Sequence, residues 1–295
     1  MANNFITKTY LVAFNLISFF GWSMILTTLI RHLALGEMRQ TLPIEYSEKF
    51  IAFLRSAAER NIYVISFKNP KLPAFLSTLL DRASTLHAIS GALVAVVQSL
   101  AVMEIVHAVI GIVKTPVPTT VVQVFSRLFL VWGISERYIN SAASPWYASM
   151  VFAWSLTECI RYPFYANALM GSESNFLQWA RYTLFYVLYP MGAGSEAMLM
   201  FKTLPNAYPW DKPSAWTAEK YLVAVLFVLW WPGLYVMYTH MIRQRRRALS
   251  KVSGFWGTKD SNARREAAKV SAQRKKGAKA VADASWATGE SNKSK

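Results

Sequence analysis

The chain has 295 residues, of which 54% are apolar, 14% aromatic and only 16% charged. Soluble domains average about 25% charged residues, so this composition excludes an ordinary water-soluble fold. The net charge of +16 is not spread over the body. Fifteen Lys/Arg against four Asp/Glu, a net of +11, fall within residues 243–295, and a basic tail beside an apolar segment is not the charged patch of a nucleic-acid-binding domain.

Six stretches have the length and apolar content to cross about 30 Å of hydrocarbon. In chain order they are residues 10–30, 86–106, 118–134, 146–170, 176–200 and 221–241. The first lacks a small-residue cleavage site and reads as a retained anchor. Trp146, Trp179 and Trp216 fall near predicted ends, where indole rings favour the membrane interface. The expected fold is therefore all-α: a polytopic bundle of six transmembrane helices over residues 1–245, followed by a basic, mostly disordered tail over 246–295. Within the long first loop, residues 31–85, the helical spacing of Tyr46, Phe50, Leu54 and Ala57 fits an interfacial helix or an ordinary loop helix equally. The basic run Arg243, Arg245, Arg246 and Arg247 places the C-terminus in the cytosol, and six spans place the N-terminus there too. The first loop then lies opposite, although it also carries more Lys/Arg than Asp/Glu.

Candidate chemistry sits in the polar residues inside these spans, because a charge in hydrocarbon is costly and has either a partner or a task. The second span ends in Glu104 and His107. Gln123 and Arg127 lie one turn apart on the third. Glu158 and Arg161 stand at i,i+3 on the fourth, and read first as a structural ion pair closing the bundle and second as a catalytic pair. Glu104 reads equally as a partner for Arg127 or as a substrate-binding group, and Gln123 reads as interhelical glue. The fifth span carries Arg181, Tyr182, Tyr189 and Glu196. On an ideal helix Tyr182, Tyr189 and Glu196 share a stripe, but Pro190, Gly192 and Gly194 are expected to interrupt that helix. For Tyr189 and Glu196, chemistry and structure are equally good readings of the residues alone.

Other mechanisms fall away. Cys159 is the sole cysteine, so neither an intrachain disulfide nor a thiolate metal cluster can form. His32, His87, His107 and His240 are isolated in sequence, unlike the clusters of di-iron enzymes, and no metal site or cofactor is expected. Gly192-Ala193-Gly194 lacks the third glycine and the βαβ setting of a dinucleotide loop. A cysteine phosphatase needs an arginine six residues past its cysteine, where this chain has Tyr165.

Taken as ordered blocks, these residues resemble a known family. Glu104, Gly111, Pro116, Thr119, Thr120, Gln123, Ser126, Arg127 and Gly133 form one block, and residues 154–162 another. Arg181-Tyr182 followed by residues 188–196, Leu-Tyr-Pro-Met-Gly-Ala-Gly-Ser-Glu, form the third. The pattern is similar to that of the protein tyrosine phosphatase-like family, which contains the very-long-chain (3R)-3-hydroxyacyl-CoA dehydratases of the endoplasmic reticulum, and it covers roughly residues 10–245. The resemblance implies loss of water from a 3-hydroxyacyl-CoA to give the trans-2-enoyl-CoA, with Tyr189 and Glu196 as the catalytic pair. Glu196 suits the base and Tyr189 the proton or hydrogen-bond donor, with the opposite assignment open. Arg127, Arg161, Arg181, Glu104, Gln123 and Gly192 are the candidates to bind substrate or hold developing charge. It also implies a multi-pass location in that membrane beside the other elongation-cycle enzymes. The alternatives are a catalytically silent scaffold for those enzymes and a transporter. The departures are a longer first loop, an extended basic tail and Thr115 where serine is commoner.

Overall fold

The computed structural model describes residues 5–36, 72–172 and 174–251, with Val270 and Gln273. The chain divides into two compact units, Met1–Arg243 and Gln244–Lys295. The expected interfacial helix and nearly all of the basic tail lie outside the described residues.

Among those residues the structure is helical throughout, with no strand. The helices are α1 (Phe5–Leu35), α2 (Ala74–Ser99), α3 (Val102–Val109), α4 (Val117–Leu128), α5 (Ile139–Ala142), α6 (Pro145–Met170), α7 (Asn175–Arg181), α8 (Phe185–Phe201) and α9 (Ala218–Lys251). A π-helical segment, Phe129–Ser135, extends α4. Among the described residues, four stretches are long and apolar enough to cross a membrane: Phe5–Leu35, Ala74–Val109, Val117–Ser135 and Ala218–Arg246.

Local chemistry sets the ends. Gly36 takes a left-handed φ of +74° after α1, returning its N–H to the His32 carbonyl. Arg82 reaches across from α2 and donates to the Leu33 and Ala34 carbonyls at 2.8 and 2.7 Å, placing a cation on the negative end of α1. Ser144 caps α6 ahead of Pro145, whose fixed φ suits a first helical position. At the other end, Gly171 (φ +79°) donates to the Ala168 carbonyl and Ser172 to that of Asn167, the paired bonds of a Schellman stop.

Helix α6 is the hub, packed against α1, α2, α7 and α8. Its Tyr147, Met150, Val151 and Trp154 join Trp22, Ile25, Leu29, Leu86, Val94, Leu130, Leu199 and Met200 in one buried cluster. Small residues set the close approaches: a Cβ on Gly21 would meet the Val97 side chain at 2.9 Å, and one on Gly192 would meet Ala153 Cβ at 3.3 Å. Helix α9 adds Val223 to the same cluster, with Leu226, Phe227 and Trp230 packed against it.

The fifth predicted span is two helices. The chain turns at Tyr182–Leu184, and α8 then runs unbroken through Pro190, Gly192 and Gly194. The expected interruption at those three residues is therefore misplaced, and Tyr182 caps α7 rather than sharing a stripe with Tyr189 and Glu196. Pro190 removes one hydrogen bond from the helix, and the Tyr238 hydroxyl of α9 donates at 3.4 Å to the Tyr186 carbonyl that residue 190 would otherwise serve. The glycines stay helical, with Gly192 buried where α8 meets α6.

Candidate active site

Two levels of polar side chains cross the bundle. At the first, Glu158 of α6 is 1% exposed and lies between two guanidinium groups. Arg127 of α4 donates to one of its oxygens, and Arg161 donates from Nε to the other at 2.5 Å. The remaining nitrogens of Arg161 make a two-pronged bond to Glu104 of α3 at 2.6 and 3.0 Å, and Tyr162 donates to the same carboxylate at 2.8 Å. Two carboxylates and two guanidinium groups thus balance in charge, and each bonds at least one opposite partner. The partner of Glu104 is Arg161 rather than Arg127.

From Arg127 the network continues to the second level. Its guanidinium lies 4.9 Å from the centre of the Trp154 ring, and the Trp154 indole N–H donates to Glu196 of α8 at 2.7 Å. The Trp230 indole of α9 also hydrogen-bonds Glu196, and the charge of Arg127 acts on it. Tyr189 precedes Glu196 by two turns on the same helix, about 10 Å along the axis. No hydrogen bond to the Tyr189 hydroxyl is found among the described residues. Its ring is held instead by packing, nearly parallel to Tyr238 with centroids 6.3 Å apart.

The other sequence candidates sit as follows. Arg181 donates to the Tyr165 hydroxyl at 2.9 Å and is boxed by Phe164, Tyr165 and Tyr182, away from the carboxylates. Gln123 lies on the exposed side of α4, outside the network. Its spacing to Arg127 put it on the right face, but it stands a turn nearer the end of a helix that is mostly exposed there. Gly192 serves helix contact through its missing side chain. Sequence reasoning missed Trp154 and Tyr238. Trp154 was legible in principle, standing four residues before Glu158 on one helical face, whereas Tyr238 lies on a span that reads as apolar filling. Among the described residues, no group of three His, Cys, Asp or Glu could hold a metal ion.

The contacts also order the ends. Tyr10 bonds His107, Phe14 packs on Tyr162, Tyr165 bonds Arg181 and Tyr186 bonds Tyr238, so these groups share one end with the start of α1. At the opposite end, His32 meets Arg82 and Thr85, His87 bonds Glu136, and Arg137 and Tyr138 bond Glu219.

Fold and site together define a multi-pass helical membrane protein with a continuous acidic–basic network between its helices. A family profile described as protein tyrosine phosphatase-like protein, PTPLA, matches residues 98–251, and the chain belongs to that family. It is 45% identical over 168 residues to a probable very-long-chain (3R)-3-hydroxyacyl-CoA dehydratase of Schizosaccharomyces pombe, covering 57% of this chain and 78% of the relative. A Caenorhabditis elegans dehydratase of the same description is 31% identical over 256 residues, covering 82% of this chain and 95% of its own length. The human very-long-chain (3R)-3-hydroxyacyl-CoA dehydratase 2 is 36% identical over 161 residues, covering 52% of this chain and 63% of the relative. No solved structure matches the chain.

Proposed function

We infer that this chain is a hydro-lyase that converts (3R)-3-hydroxyacyl-CoA to trans-2-enoyl-CoA, the dehydration step of very-long-chain fatty-acid elongation. The observation that carries the reading is Glu196, fixed by the Trp154 indole two turns from Tyr189, in a family whose relatives are named for this dehydration.

The elimination needs a base for the C2 proton, a donor for the departing 3-hydroxyl and stabilisation of charge developing on the thioester. Glu196 is the base. Trp154 donates to one of its oxygens and the Trp230 indole of α9 also hydrogen-bonds the carboxylate, so the C2 proton goes to a lone pair that these two donors leave open. Tyr189, whose hydroxyl has no hydrogen bond among the described residues, donates to the leaving oxygen. Arg127 sits behind Trp154 as the nearest fixed positive charge, while Arg161, Glu158 and Glu104 form the frame that holds it. The pairing of these charges also disfavours a transporter, which needs groups open to solute.

We place the protein as six spans in the endoplasmic reticulum membrane, with α6 and α8 completing the four more apolar crossings and both termini in the cytosol. The acyl-CoA head then enters at the end shared by Tyr10, Tyr165 and Arg181. Tyr189 is met first, and Glu196 lies about 10 Å deeper, so the thioester reaches inward while the acyl chain stays in apolar surroundings. The enzymes that make the 3-hydroxyacyl-CoA and reduce the enoyl-CoA are its expected neighbours in the membrane.

Purified full-length protein given 3-hydroxyacyl-CoA tests the reading. Enoyl-CoA should form, and Tyr189→Phe and Glu196→Gln should each slow its formation by about 10²–10⁴-fold, the range for loss of a positioned acid or base. Undiminished activity in both variants would overturn the site assignment.

A further inference from the structure

Helix α9 buries Val223 near its start, and further along one of its side chains, Tyr238, reaches the first turn of α8. Tyr238 lies among Phe185, Tyr186 and Tyr189, with ring centroids 5.9, 6.2 and 6.3 Å away, and its plane is within 19° of that of Tyr189. Its hydroxyl donates to the Tyr186 carbonyl at 3.4 Å, across the turn where Pro190 has no N–H to give. One side chain therefore braces both the backbone before Tyr189 and the plane of the Tyr189 ring.

We propose that Tyr238 is a positioning residue for Tyr189. A proline near the start of α8 loosens the turn that carries Tyr189, and the Tyr189 hydroxyl has no hydrogen bond among the described residues to aim it. The ring stack and the bond to Tyr186 supply the missing constraints, from the helix whose Trp230 also hydrogen-bonds Glu196. Aim matters here because a misplacement of about 1 Å in a reacting group can cost about 10²-fold in rate. The inference rests on the reading of Tyr189 as the proton donor.

The experiment measures kcat and KM separately for the full-length protein in lipid nanodiscs. Tyr238→Phe keeps the stack and deletes the hydroxyl, so kcat should fall about two- to fivefold, the share of one ordinary hydrogen bond. Tyr238→Leu removes both supports, and kcat should fall roughly ten- to a hundredfold while KM moves little. Adding Tyr238→Leu to Tyr189→Phe should cost almost nothing further, because a positioning role vanishes with the group it positions.

An unchanged kcat in Tyr238→Leu beside an inactive Tyr189→Phe would overturn this inference alone. So would a rise in KM without loss of kcat, or a full multiplicative loss in the double variant. A fully active Tyr189→Phe would instead remove the reading on which it rests.

Discussion

Replacing Glu158 by glutamine removes one charge from the network and keeps its shape. The carboxylate is 1% exposed and accepts from Arg127 on one oxygen and from Arg161 Nε on the other at 2.5 Å. The glutamine amide must turn a donor toward one guanidinium, and the four-charge group of Glu104, Glu158, Arg127 and Arg161 becomes net positive. Breaking a buried ion pair by removing one partner costs about 3–5 kcal/mol. The surroundings favour the lower end. Arg161 keeps both bonds to Glu104, and Arg127 keeps the Trp154 ring at 4.9 Å, a contact worth about 2 kcal/mol when desolvated. We expect Glu158→Gln to lose about 3 kcal/mol of unfolding free energy in a reversible SDS titration in mixed micelles. A double-mutant cycle with Arg161→Gln should give a coupling of about 2 kcal/mol. Stability within about 0.5 kcal/mol of the parent, the usual range for an inconsequential substitution, would refute the reasoning. Loss of activity at full stability would move Glu158 from the frame of the site into its chemistry.

The paired glycines of α8 should respond in opposite ways. Gly192→Ala forces a Cβ to 3.3 Å from Ala153 and should cost about 1 kcal/mol, with Gly192→Val costing up to about 3. A Cβ on Gly194 meets nothing within 4 Å, so Gly194→Ala should be neutral or stabilising by up to about 1 kcal/mol through helix propensity, as read by thermal unfolding. Trp154→Phe keeps a ring under Arg127 but deletes one of the two indole donors to Glu196. It should lower kcat about tenfold with KM nearly unchanged, the loss of one charge-assisted hydrogen bond. A rise in KM at constant kcat would instead assign Trp154 to substrate binding.

Composition and apolar length made the helical membrane architecture legible, because both follow directly from the solvent a segment prefers. The polar residues inside the spans were legible as a set for the same reason, and Glu158–Arg161 as a pair because i,i+3 spacing is local. The cross-helix partners were not. Nothing in the chain order says that Arg161 reaches Glu104 while Arg127 turns to Glu158 and Trp154, since that depends on how α3, α4 and α6 rotate against one another. The turn before α8 was misread for a related reason. Proline and glycine are breakers only where nothing compensates. Tyr238 meets the turn around Pro190, and Gly192 allows α6 to come close, so helical backbone persists where local propensity opposed it. Gln123 shows the converse, a polar residue at the right spacing that the packing leaves outside.

These corrections bear on how a carboxylate can work as a base inside a membrane bundle. A lone glutamate among apolar helices would be costly to place, and a glutamate paired directly with arginine would be committed to that partner. Glu196 has neither arrangement. Its hydrogen bonds come from neutral indoles, Trp154 and Trp230, and the charge of Arg127 reaches it from behind the Trp154 ring while the guanidinium itself is bonded to Glu158. The separate Glu104–Arg161–Glu158–Arg127 frame therefore does two things at once. It ties α3, α4 and α6 together beside Glu196, and it keeps a fixed positive charge near that carboxylate while Arg127 itself stays bonded to Glu158.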